Sequence, residues 1–181
     1  MNGAAELPTP QGLLLRPWRP EDAPDVLRAF VPEEMARQAG RPVTTMAEVL
    51  DWVAAREEER KAGTAYTWAV VREGVPLGSV AVAAANHTHD TGWVPYWTVE
   101  AARGRGVAVE GVRALARWAF DELDLYRLEL GHRTDNPASC TVALRAGFAA
   151  EGIDRKKLRH GDERYDVERH ARLATDDVNN G

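Results

Sequence analysis

The alternation of apolar and polar positions divides this chain into segments of two periods. Period two marks a strand, and recurrence every three to four residues marks a helix with one buried face. After a Pro-rich start, "GLLLRPW" (12–18) reads as a first strand. "RPEDAPDVLRAF" places Pro and acidic residues at a helix entrance, with Val26, Leu27 and Phe30 as its apolar positions. "VTTMAEVLDWVAAREEERKAG" predicts the clearest early helix. Thr44 or Thr45 caps it, Met46, Val49, Leu50 and Val53 form its stripe, and Gly63 ends it.

The period then drops to two. "TAYTWAVVREG" and "VPLGSVAVAAA" predict a strand pair turning at Glu73-Gly74. A polar loop, "NHTHDT", leads into "GWVPYWTV", a strand interrupted by Pro95. The next helix carries Ala108, Val112, Leu115, Ala116, Ala119, Phe120 and Leu123 on one face. "LYRLELGHR" is a strand with Leu128 and Leu130 on one side. "NPASCTVALRAGF" is a short helix with Asn136 as cap, Pro137 in its first turn and Gly147 at its end. Two extended segments flank a turn at His160-Gly161-Asp162. The order is strand, helices, three strands, helix, strand, helix, two strands. It predicts one α/β (α+β) domain over residues 1–173 with a mixed sheet of about seven strands, and a polar tail over 174–181.

Composition narrows the classes. The chain has 181 residues, 44% hydrophobic and 28% charged, which suits one soluble domain with a sizeable core. A net charge of −5 argues against nucleic-acid binding through bulk electrostatics. No apolar run reaches membrane-spanning length and the start lacks signal-peptide regions, so we expect a cytoplasmic protein without a membrane partner. One cysteine, Cys140, leaves no internal disulfide and no Cys-based zinc site.

The stretch "ARGRGVAVEG" (102–111) concentrates two arginines and two glycines where a helix begins. The first N–H groups of a helix lack internal partners, and the macrodipole adds partial positive charge there. Gly104 and Gly106 let backbone approach a ligand, Arg103 and Arg105 bring forked donors, and the small Ala108 packs closely one turn in. A pyrophosphate suits such a cradle, and a solvated Arg/Gly turn is the alternative. A Walker loop requires Lys-Ser/Thr where Val107-Ala108 stands, and the glycine spacing differs from a dinucleotide fingerprint.

Arg103-x-x-Gly106-x-Ala108 has the form Arg/Gln-x-x-Gly-x-Gly/Ala, and with its surroundings the chain resembles a GNAT N-acetyltransferase. "YWTVEAARGRG" resembles the fourth strand of that fold running into its pyrophosphate turn. "RTDNPASCTVALRAGFAAEG" and "HGDERYDVERHARL" are similar to the RimJ/RimL subgroup, which acetylates ribosomal-protein N-termini. The resemblance covers residues 12–173 in order. It implies a GNAT fold, with a mostly antiparallel sheet splayed between its fourth and fifth strands and flanked by helices. It also implies acetyl-CoA as cosubstrate, no metal, and direct attack by a primary amine in a ternary complex.

Carried over residue by residue, Trp97, Thr98 and Val99 would bind the pantetheine arm, and an N–H near Thr98 or Val99 would polarise the thioester carbonyl. Arg103, Gly104, Arg105, Gly106, Val107 and Ala108 would hold the pyrophosphate. Asn136 would bond the pantetheine, and Ser139 would sit near the coenzyme sulfur. Many GNAT enzymes carry a Tyr where this chain has Ala143, which leaves Ser139 to hydrogen-bond or protonate the leaving thiolate. Glu100 is a candidate base, with Glu33 and Glu34 between the early helices, on the family's acceptor wall. The acceptor is a protein N-terminus or a small-molecule amine. A non-catalytic acyl-CoA-binding module and a nucleotide-binding protein are the competing classes, and a homodimer is one candidate assembly.

Other residues invite chemistry less strongly. Cys140 with His132 or His160 resembles a nucleophile and base, but Ala143 and Leu144 on its helix face predict a buried small residue. His87, His89 and Asp90 lie in a polar loop without the rest of a coordination shell. Trp52, Trp68 and Trp93 either line a site or fill a core.

Overall fold

Caps and turns set the element boundaries in the computed structural model, which describes residues 6–36 and 43–176. The strands are β1 (Leu7–Pro8), β2 (Leu14–Pro17), β3 (Ala65–Arg72), β4 (Val75–Asn86), β5 (Thr91–Trp93), β6 (Tyr96–Thr98), β7 (Arg127–Arg133), β8 (Ala149–His160) and β9 (Glu163–Leu173). The helices are α1 (Ala23–Ala29), α2 (Glu33–Ala36), α3 (Met46–Ala62), α4 (Val107–Glu122) and α5 (Pro137–Arg145). Residues 177–181 of the expected polar tail lie outside the described residues.

One sheet runs β1-β2-β3-β4-β5-β7-β9-β8, with β6 also on β4. Every pairing is antiparallel except β5 with β7. Two features raise the strand number above the seven expected. Leu7–Pro8 adds an edge pair, and the strand containing Pro95 divides into β5 and β6.

The sheet is covered on both faces. On one, α4 and α5 bury Val112, Leu115, Ala116 and Ala119 against Leu128, Leu130 and Phe148. On the other, α1–α3 enclose Trp18, Val26, Phe30, Val49, Trp52 and Val53. The stripe expected for α3 is therefore rotated. Met46 and Leu50 are exposed, and Trp52 takes the inward position with Val49 and Val53. The Trp52 ring meets Trp18 and Phe30 edge-on at 5.4 and 5.6 Å, so its large area wins the core position. At the start of α3, Thr45 Oγ1 accepts from the Glu48 N–H at 3.3 Å, while Glu48 accepts from the Thr44 and Thr45 N–H groups. These bonds lower the Glu48 carboxyl to about 2.

A buried ion pair fixes the entry to α1. Arg16 donates to both oxygens of Asp22 at 2.7 Å, and Asp22 also accepts the Arg19 N–H at 2.9 Å. Both side chains are only 6% exposed. Removing one partner leaves the other charge buried and uncompensated, which typically costs about 3–5 kcal/mol. Asp22→Ala is thus expected to lower stability by about 3 kcal/mol or more, read as a drop in the denaturation midpoint without a change in slope.

Candidate active site

β5, Pro95 and β6 lie along β4 as one line, through Ala83↔Trp93, Val80↔Tyr96 and Gly78↔Thr98. Pro95 removes only its own donor, because its carbonyl still accepts the Ala81 N–H at 3.0 Å. At Gly78 a Cβ would lie 2.4 Å from the Trp97 carbonyl oxygen, so glycine permits this close approach of β4 and β6.

The opposite edge of this line behaves differently. β7 pairs with it from Thr91↔Arg127 to Trp93↔Glu129, and the Val94 N–H donates to the Glu129 carbonyl at 2.8 Å. Beyond that bond, β7 continues with β9 as its strand partner. The sheet splays there, between β6 and β7. Peptide groups alternate along a strand, so the N–H groups of Tyr96 and Thr98 point as Val94 does, into the gap. Val99 points the other way and donates to the Leu77 carbonyl at 2.9 Å. Of the two expected donors, Thr98 therefore faces the opening and Val99 does not.

β6 runs into a single 3-10 turn (Glu100–Ala102) and then the glycine-rich turn. Gly104 and Gly106 adopt φ of +72° and +77°, left-handed values that side chains with a Cβ enter at a cost. Among the described residues beyond its chain neighbours, no atom lies within 4 Å of a Cβ built at Gly104, and Gly106 meets only Gln11 Oε1 at 3.7 Å. The open space in front of these glycines is where a ligand would approach. α4 begins at Val107, so its unpartnered N–H groups and dipole open onto the same turn. Ala108 is half-buried one residue in.

The two arginines of the turn diverge. Arg103 donates to Glu34 on α2 at 2.6 Å and to the Thr98 carbonyl at 3.3 Å. Arg105 lies beside Val107 and Val99 on a cleft of about 250 Å3, which Arg72 and Glu73 also line.

Across the gap, α5 starts at an Asn136 cap whose Oδ1 accepts the Ser139 N–H at 3.1 Å. Pro137 occupies the first helical position, where no N–H is needed. The Tyr96 hydroxyl spans the gap and donates to the Ser139 carbonyl at 3.3 Å. Burial pushes the Tyr96 phenol above its ordinary value, so it stays protonated as a donor. The sequence reading missed this bridge, although Tyr96 stands beside the quoted strand residues; period two put it on the α5 side. Ala143 is fully buried.

Thus Thr98 opens toward the gap, Gly104 and Gly106 follow it in the turn, and Tyr96 links β6 to Ser139 beside the Asn136 cap. Glu100 is exposed just after β6, with its carbonyl accepting the Arg103 N–H at 3.1 Å. Trp52 and Trp68 fill the core, and half-buried Trp93 lies against Gly131. Trp97 points away from Tyr96 and stacks on Trp18 at 5.8 Å.

Cys140 differs from its expectation. Leu144 is exposed, and Cys140 itself is half-buried, with its sulfur within 4.8 Å of a Glu168 carboxylate oxygen. Burial first, and then Glu168, push the thiol above its ordinary value, which makes it a poor nucleophile. His132 does come close to it, whereas His160 packs on Tyr165. His87 and His89 lie in an exposed turn closed by Asn86, whose side chain accepts the Thr88 and His89 N–H groups.

This architecture is that of an acyl-CoA-dependent transferase. The chain belongs to the GNAT family: residues 12–149 match the family described as Acetyltransferase (GNAT) domain. It is a GNAT-type acetyltransferase. A ribosomal-protein-serine acetyltransferase of Escherichia coli is 27% identical over 143 residues, covering 72% of this chain and 80% of that protein. A probable N-acetyltransferase of Bacillus subtilis, YjcK, is 39% identical over 69 residues, which are 38% of this chain and 38% of YjcK. Among solved structures, a RimL ribosomal L7/L12 alpha-N-protein acetyltransferase in complex with coenzyme A superposes with a TM-score of 0.85. It shares 22% identity, covering 96% of this chain and 100% of that one. RimJ of Mycobacterium smegmatis, in complex with CoA-disulfide, gives 0.82 at 21% identity over 94% of this chain and 86% of that one. None of the described helices is long and apolar enough to cross a membrane.

Proposed function

We propose that this protein moves an acetyl group from acetyl-CoA to the N-terminal amine of a protein, in the cytoplasm, through a domain spanning residues 1–173. One observation carries the reading: β6, paired with β4 on one side only among the described residues, leads through a single 3-10 turn into a left-handed glycine turn at the start of α4. An extended pantetheine chain suits the N–H groups of Tyr96 and Thr98, as an added strand would. A pyrophosphate suits the open space before Gly104 and Gly106, where a Cβ would intrude. The choice of a protein acceptor draws on the relatives that carry such names, since the fold alone serves many amines.

Acetyl-CoA supplies the activated acyl carbon. The chain's own part is positioning and polarisation. Thr98 N–H faces the place where the thioester oxygen would gather charge, and a fixed donor there lowers the barrier. The nitrogen–carbon bond forms and the carbon–sulfur bond breaks; of the two protons the ammonium loses, one ends on the departing sulfur or in solvent, and the other must leave before attack to free the lone pair. Glu100 is our candidate for receiving that proton, directly or through water. Ser139, held at the first turn of α5, donates a hydrogen bond to the departing thiolate. Arg105 adds charge for the phosphates, while Arg103 fixes α2 to the turn through Glu34. A small-molecule acceptor would use the same donors.

Acetyl-CoA at one hundred times its dissociation constant should stabilise the fold by about 2.7 kcal/mol, a rise of roughly 5–10 °C in Tm. ATP and GTP should give less. Thiol release should then occur with N-terminal peptides in preference to free amino acids or polyamines. No shift with millimolar acetyl-CoA would sink the proposal, and saturable binding without thiol release for any amine would leave a binding module. Gly106→Val puts a branched side chain at φ +77° and into the ligand's approach. It should weaken acetyl-CoA binding at least tenfold, measured by calorimetry, with a loss of about 1–2 kcal/mol in stability. Ser139→Ala should keep the coenzyme affinity within a few-fold and lower kcat by about tenfold or more; unchanged kcat would remove Ser139 from the mechanism.

A further inference from the structure

Four side chains outside the proposed acetyl-transfer chemistry converge behind α5. His132 of β7, Cys140 of α5, and Glu168 and His170 of β9 each place a ligand atom within 4.8 Å of the others. Register explains the meeting. His132 pairs with Glu168 and Leu130 with His170, so all three polar groups lie on the sheet face that α5 covers.

The backbone fixes the tautomers. His132 Nδ1 lies 2.8 Å from the Arg133 carbonyl, and His170 Nδ1 lies 3.2 Å from the Phe148 carbonyl. A carbonyl oxygen only accepts, so each Nδ1 carries a hydrogen and each neutral ring presents a lone pair at Nε2. Those two Nε2 atoms face each other at 3.0 Å, and each is 3.2 Å from Glu168 Oε2. Two lone pairs and a carboxylate oxygen repel unless a cation stands among them. The two histidines are only 7% and 1% exposed, so solvent does little to screen the repulsion between their lone pairs, while the Glu168 side chain is 28% exposed.

We propose that this cluster is a zinc site, with His132 and His170 Nε2, a Glu168 carboxylate oxygen and the Cys140 thiolate as its four ligands. Zinc takes N, S and O ligands tetrahedrally, and bonds of about 2.0–2.1 Å set nitrogen and oxygen ligands about 3.3 Å apart. The observed 3.0 and 3.2 Å require an expansion of only a few tenths of an ångström. The Nδ1–carbonyl bonds are the outer contacts that orient metal-binding histidines. Ligation releases the Cys140 proton to solvent, and two anionic ligands then balance the dication in a buried place. A proton on one imidazole would relieve the histidine pair but leave the sulfur without a part. Four protein ligands close the coordination shell, so the ion is structural. It ties α5 to β7 and β9.

The test uses the full chain, dialysed against a chelator and titrated with Zn2+ or Co2+ in the absence of acetyl-CoA. One Zn2+ per chain should bind with micromolar or tighter affinity and raise Tm by several degrees. Co2+ should give intense tetrahedral visible bands together with a sulfur-to-cobalt charge-transfer band. Cys140→Ser should abolish the charge-transfer band. Cys140→Ala, at a half-buried position that tolerates truncation, should weaken Zn2+ binding at least tenfold. No zinc-dependent rise in Tm, or a pale octahedral cobalt spectrum, would overturn the site and leave a proton as the cation. An unaltered charge-transfer band in Cys140→Ser would overturn the assignment of its sulfur ligand. None of these readouts depends on acetyl transfer, so they stand or fall apart from the proposed function.

Discussion

The bond from the Val94 N–H to the Glu129 carbonyl is the last rung between two halves of the sheet. Up to it, β5 and β7 form the only parallel pairing among the described residues. Past it, the strand line stays with β4 while β7 stays with β9, over four further paired positions from Leu130↔His170 to Arg133↔Val167. A strand cannot remain in register with two partners that twist apart. Gly131 sits on β7 just beyond the rung, and a Cβ there would meet Trp93 at 3.0 Å and Val167 at 2.9 Å. Glycine thus lets an aromatic ring and a neighbouring strand crowd β7 where it leaves.

An unpaired strand edge is ordinarily a liability, because it invites pairing with another chain. Here β6 is short and clamped from both faces. Tyr96 packs toward α4 and α5 and bonds the Ser139 carbonyl, while Trp97 sits among Trp18 and Phe30. Alternation lets three residues anchor in two separate cores. The edge is held open by side chains, and its main chain is left to face a ligand.

Much of this was legible in the sequence. Period two and period 3.6 located the principal strands and helices, and Asn136, Pro137 and Gly147 punctuated α5 as their chemistry requires. The glycine turn was legible because φ near +75° and a helix start leave few explanations for Gly104 and Gly106. Tertiary competition was not legible. The choice of Trp52 over Leu50 on α3 depends on two rings from β2–α1 that only folding brings together. Arg103 turning to Glu34, instead of toward the glycines, depends on where α2 lands. The histidine cluster draws ligands from β7, α5 and β9, so no short spacing announces it. The available signals were the pairing of Cys140 with His132, weighed only as a nucleophile and base, and His132 continuing the inward face of Leu128 and Leu130.

α5 joins these threads. A nine-residue helix is too short to be stable alone and must be held by its surroundings. It is held at its start by Asn136 and Tyr96, and at its end by the Phe148 N–H donating to the Ala143 carbonyl. Between these, adjacent residues serve different neighbours: Ser139 meets Tyr96, and the Cys140 sulfur lies within 4.8 Å of a Glu168 carboxylate oxygen on β9. Any force that draws Cys140 toward β9 therefore also sets the position of the Ser139 hydroxyl across from β6. The start of α5 is only as rigid as the contacts behind it, the buried histidines of β7 and β9 among them.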